Sequence, residues 1–85
     1  YKALDAYTAA RADFAAARDG AGEAAVLTNR GIALALDLGR PGEAAVSFGE
    51  ALAVATTAGV RREALLARLY RGEALLRDGQ PAQAG

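Results

Sequence analysis

The chain repeats parts of itself at a nearly fixed distance. Ala3, Tyr7 and Ala10 are followed at one constant offset by Ala44, Phe48 and Ala51, and the dipeptide Arg30-Gly31 returns as Arg71-Gly72 at that same offset. Gly39 and Ala44 recur as Gly79 and Ala84, a single position short of it. An internal period of about 40 residues points to an array in which each unit packs on its sequence neighbours, because one unit alone cannot bury its apolar face.

The spacing inside each unit is helical. From Tyr1 to about Asp19, Leu4, Tyr7, Ala10 and Phe14 form a stripe, with Lys2, Asp5, Arg11, Asp13 and Arg18 largely off it. Gly20-Ala21-Gly22 is expected to supply the C-cap and turn. A second helix is expected from Gly22–Ala24 to about Leu38. Leu27, Gly31, Leu34 and Leu38 make one stripe on it, and Thr28, Ile32, Ala35 and Leu36 a second beside it. Gly39 ends this helix, and Arg40-Pro41-Gly42-Glu43 turns the chain into the next, with proline in the first helical turn.

The third helix is expected from Pro41 to about Thr57, turning Ala44, Phe48, Ala51, Leu52 and Ala55 inward. The fourth covers roughly Arg61 to Asp78, with Leu65, Leu69, Gly72, Leu75 and Leu76 inward. Gly79-Gln80-Pro81 repeats Gly39-Arg40-Pro41, and Pro81 to Gly85 reads as the first turn of a fifth helix. The expected fold is all-α, a segment of antiparallel helix–turn–helix repeats. Residues 1–19 are the second helix of a preceding repeat, 22–58 one helix pair, and 61–85 the first helix of the next repeat with the start of its partner.

Composition narrows the function. Apolar residues make up 53% of the chain but most are alanine, which favours helices packed closely through small side chains. Ten acidic and ten basic residues cancel, so no overall field steers the chain to nucleic acid or to an anionic membrane. Cysteine and histidine are absent, which removes thiolate metal sites, the commonest metal ligand and the commonest general base. Gly20-Ala21-Gly22 lacks the lysine and hydroxyl residue of a phosphate loop, and Arg61-Arg62 is too short for a nucleic-acid site. No enzyme activity, no cofactor and no metal are expected. The opening on Tyr1, with no methionine anywhere, suggests a fragment of something larger. Without an apolar run of membrane-spanning length, a cytoplasmic location is the default expectation.

These residues resemble the tetratricopeptide repeat. That family places a glycine on the first helix, a glycine at the turn, and then alanine, an aromatic and alanine on the second helix. Gly31, Gly39, Ala44, Phe48 and Ala51 fill those places in order, Gly72, Gly79 and Ala84 begin a second copy, and Ala3, Tyr7 and Ala10 end an earlier one. The period here exceeds the family's usual length of about 34 residues. Arginine stands at Arg30 and Arg71 where a large apolar residue is usual, Arg68 replaces a bulky apolar group, and the proline that closes the second helix is missing near Thr56. Longer repeats of this kind resemble those of bacterial signalling and regulatory proteins that join an array to a catalytic or DNA-binding domain.

The resemblance implies a right-handed α-solenoid whose first helices line a concave, partner-binding face. Carried over by position, that face is Thr28, Asn29, Ile32, Ala35 and Leu36 on one helix and Leu69, Tyr70, Glu73, Leu76 and Arg77 on the next. Against this stands the plainer reading that Ile32, Leu36, Leu69 and Leu76 only pack on neighbours. Asn29 fits the family's carboxylate clamp, but Ala25 and Thr28 stand where the clamp needs cations, so an apolar groove for a peptide or helix suits the face better. Arg30 and Arg71 are either a basic ladder for an acidic partner or two side chains that snorkel and pair locally.

The leading expectation is a protein–protein interaction module with a peptide or protein partner, no nucleic acid and no membrane. The alternatives are a scaffold packed on other domains of a larger signalling protein and an unrelated self-associating bundle. Only a bundle would bring residues 1–18 onto residues 61–78. Self-association through apolar faces at both ends is also expected.

Overall fold

A computed structural model describes residues 2–79. It is all-helical: α1 spans Lys2–Ala16, α2 Gly20–Ile32, α3 Pro41–Ala58 and α4 Arg61–Asp78, with a π turn, Ala33–Asp37, closing α2. Each helix packs on the next in sequence, α2 also touches α4, and α1 and α4 do not form a packed pair among the described residues. The result is a slab of 44 × 28 × 13 Å. Its thin direction holds two helical layers at most, so no helix is enclosed on every side. The fifth-helix start expected at Pro81 lies outside the described residues.

The first turn differs from the expectation. Arg18, not a glycine, takes the left-handed conformation at φ 57°. Its N–H bonds the Ala15 carbonyl, and the Asp19 N–H reaches back to Phe14, which together form a Schellman closure. Asp19 then caps α2, its carboxylate accepting from the Gly22 N–H at 2.9 Å. Gly20 and Gly22 therefore lie inside the first turn of α2, and what they provide is space. A Cβ on Gly20 would collide with the Ala58 Cβ, and one on Gly22 would collide with the Phe14 ring.

The later turns follow glycine. Gly39 and Gly59 have φ of 62° and 73°, the region where a side chain is strained. Gly79, the counterpart of Gly39, stands at −82°, so the second turn does not reproduce the first at this residue.

The core forms between α2 and α3. Leu34, Ala44, Ala45, Phe48 and Ala74 make one buried cluster, with Leu4, Ile32, Ala35 and Leu38 packed against it. Leu27, Ala51 and Ala67 make another, joined by Leu52 and Val54. The Phe48 ring lies so close to Gly31 that a Cβ there would sit 2.5 Å from its Cε1. Beside it, Ser47 donates its hydroxyl to the Leu27 carbonyl at 2.8 Å, tying the two helices together.

The expected inward face of α4 is not inward. Leu65, Leu69, Leu75 and Leu76 are 51%, 71%, 46% and 72% exposed, and Gly72 is open as well. This helix meets α3 through Ala67 and Ala74, which stand two turns apart on one face. In an Ala-rich helix the leucine stripe and the alanine stripe are both apolar, and the helix that happens to lie alongside selects between them.

Candidate functional site

A groove of roughly 460 Å³, counting its open mouth, lies where α2 and its π turn face α4 across the end of the Phe48 ring. Ile32, Ala35 and Leu36 form one wall, and Tyr70, Glu73, Ala74 and Arg77 the other. The second set has i, i+3, i+4 and i+7 spacing, which places all four on one side of α4. The π turn has the corresponding effect on the first wall. Its i to i+5 bonding, seen in the Leu38 N–H to Ala33 carbonyl bond, gives more than four residues per turn, so Leu36 comes round beneath Ile32.

The floor is rigid. Phe48 stacks on Tyr70 with ring centroids 5.3 Å apart and planes 19° off parallel. Such a pair contributes about 0.5–1.5 kcal/mol beyond its buried area. At the rim, Arg77 and Glu73 pair at 3.0 Å, both roughly half exposed, so the pair adds little stability and remains open to exchange for a ligand's charges. The lining is thus apolar with one ion pair at its edge. That composition suits a side-chain anchor better than bond-making chemistry.

Of the residues expected on this face, Ile32, Ala35, Leu36, Tyr70, Glu73 and Arg77 line the groove. Four do not. Thr28 is buried and donates its hydroxyl to the Ala24 carbonyl at 2.9 Å. Asn29 points to solvent one step off the wall, and Leu69 and Leu76 lie on the neighbouring exposed stripe of α4. Two groove residues were not expected there: Phe48, read as core alone, and Ala74. Phe48 is both, one part of its ring over Gly31 and another forming the floor. Ala74 repeats Ala33 one period earlier, and both are buried, but only Ala74 reaches the groove.

A second hollow gathers Tyr7, Thr8, Arg11, Leu27, Arg30 and Glu50. Arg11, placed off the apolar stripe by its spacing, joins three helices here, bonding Glu23 of α2 at 3.2 Å and Glu50 of α3. Burial works to lower its pKa, but the hydrogen bonds to Glu50 and Glu23 outweigh this and raise it, so the guanidinium remains charged. Arg30 and Arg71 each lie against the helix that precedes their own. Arg30 lies beside Thr8 of α1 with its Nε buried and without a protein partner, and Arg71 lies across Gly49 of α3. Thr8 and Gly49 are themselves one period apart, so the two arginines occupy equivalent places.

Among the described residues no group of three acidic, histidine or cysteine side chains could hold a metal ion, and no helix is long and apolar enough to cross a membrane. Comparison with protein-family models, with curated proteins and with solved structures returns no match.

Proposed function

We propose that this chain is a segment of a tetratricopeptide-like array and that it works as a protein-interaction module, holding an apolar side chain of a peptide or protein segment in the groove between α2 and α4. The observation that carries this reading is the convergence of six expected face residues, from two helices a repeat apart, on one groove with a stacked aromatic floor. Packing of each helix on its neighbours, with α1 off α4, supports a repeat array over a closed bundle. The equivalent seating of Arg30 and Arg71 supports the same arrangement.

Panning a random peptide library on the immobilised chain tests the groove. Peptides with a leucine or aromatic anchor should be selected. They should shift the amide resonances of Ile32, Ala35, Leu36, Tyr70 and Glu73, and lose binding to Leu36→Asp, whose site is 68% exposed and tolerates the charge. Selected peptides that bind elsewhere, or indifferently to that substitution, would overturn the assignment, as would the absence of any selected peptide.

A further inference from the structure

Among the described residues the outer stripe of α4 is apolar and uncovered, and the geometry points to its occupant. The pairing of α2 with α3 supplies the template. There the Phe48 ring lies over Gly31, Leu34 shares a cluster with Ala44, and Leu27 and Ala51 share the other with Val54 packed against it. Moving α2 forward by one period gives α4, so Gly31 becomes Gly72, Leu34 becomes Leu75 and Leu27 becomes Arg68. Moving α3 back by the same step gives α1, so Phe48 becomes Tyr7, Ala44 becomes Ala3, Ala51 becomes Ala10 and Val54 becomes Asp13.

Both halves of this second pairing lack a partner among the described residues. A Cβ on Gly72 would meet nothing within 4 Å, and Leu75 is 46% exposed. No residue of α1 is fully buried, and Tyr7, although largely covered, keeps part of its surface open. The charges add an independent sign. The template sets Leu27 and Val54 in one apolar cluster, and at the matching places stand Arg68 and Asp13, which carry opposite charge. Both are exposed, and neither makes an ion pair among the described residues.

We propose that α4 of one chain receives α1 of a second copy in this register, with Tyr7 over Gly72, Ala3 against Leu75 and Asp13 paired with Arg68. The contact is head to tail, so it leaves each complex with a free α1 and a free α4 and builds open chains of subunits. The proposal rests on the repeat arrangement in the functional reading above and is independent of what the groove binds.

The chain has no cysteine, which makes cross-linking clean. Two single variants, Ala3→Cys and Leu75→Cys, are mixed under mild oxidation. The mixture should yield a disulfide heterodimer that neither variant forms alone. Sedimentation of the unaltered chain should show a mass that rises steadily with concentration. Arg68→Asp and Asp13→Arg should each weaken this association several-fold, and their combination should restore it. A chain that stays monomeric, cross-links that form equally in the unmixed pools, or a double variant no better than the singles would overturn the proposal and leave the α4 stripe to a helix of some other origin. The upfield ring-current shift of the Gly31 α-protons under Phe48 is read in the same samples. If that shift is present without cross-linking, self-association fails while the helix pairing beneath it stands. If it is absent, both fail.

Discussion

Helices α2 and α4 carry the same pattern one repeat apart and end in opposite circumstances. On α2, Leu27, Gly31 and Leu34 are buried, because α3 lies along them with Phe48 in the gap that Gly31 leaves. On α4 the matching Arg68, Gly72 and Leu75 face outward, and nothing comes near Gly72. The glycine and leucine they share are core in one place and surface in the other. Burial here is therefore a property of the pair of helices and not of one helix alone.

That contrast can be broken most forcefully at Phe48. Replacing it with alanine removes the ring that fills the α2–α3 gap and the floor of the groove, and should cost about 3–5 kcal/mol. In so small a fold this abolishes cooperative thermal unfolding followed by circular dichroism. A variant that melts close to the parent would show that Phe48 is not the keystone of this interface.

Alanine at the two matching glycines should have opposite effects. Gly31→Ala drives a methyl into three atoms of the Phe48 ring, all within 2.8 Å of the new Cβ, and should destabilise by about 1–3 kcal/mol in urea titration. Gly72→Ala meets open space in a helix interior and should stabilise the dilute monomer by about 0.5–1 kcal/mol, while weakening association at high concentration. Equal signs for the two would remove the distinction drawn here.

Smaller effects follow from the polar contacts and the open stripe. Ser47→Ala gives up the buried bond to the Leu27 carbonyl and should cost about 0.5–1.5 kcal/mol, a change the exposed Thr8 hydroxyl would not match. Leu69→Gln, on the 71% exposed stripe, should leave the midpoint of dilute samples within about 0.5 kcal/mol of the parent. A large loss at Leu69 would mean that the stripe is covered within the single chain.

Much of the fold was legible because its punctuation is local. Gly39, Pro41, Gly59 and Asp78-Gly79 bound helices that the structure begins or ends within a residue or two of expectation. The candidate site was legible in part. Six of its residues were expected on this face, but only Ile32 with Glu73 and Leu36 with Arg77 enter it as pairs one period apart, while Asn29 and Leu76, the mates of Tyr70 and Ala35, stay outside. Thr28 was misplaced because its hydroxyl bonds within its own helix, where helical spacing alone carries no information about burial. The π turn left no mark in the Ala-Leu-Ala-Leu-Asp run that forms it.

Sequence by itself determined the four helices of the described residues, their approximate limits, the repeat period and the small-residue positions where helices can approach. These depend on backbone propensity and spacing, which each segment carries alone. Only the tertiary structure decided that Gly20 and Gly22 serve close packing while Arg18 makes the turn, that Arg11 binds three helices, and that the leucines of α4 face outward. Glycine can give space or backbone freedom, arginine can sit in solvent or between carboxylates, and an Ala-rich helix has two apolar sides. Which option is taken depends on the neighbour that arrives, and no segment carries that information alone.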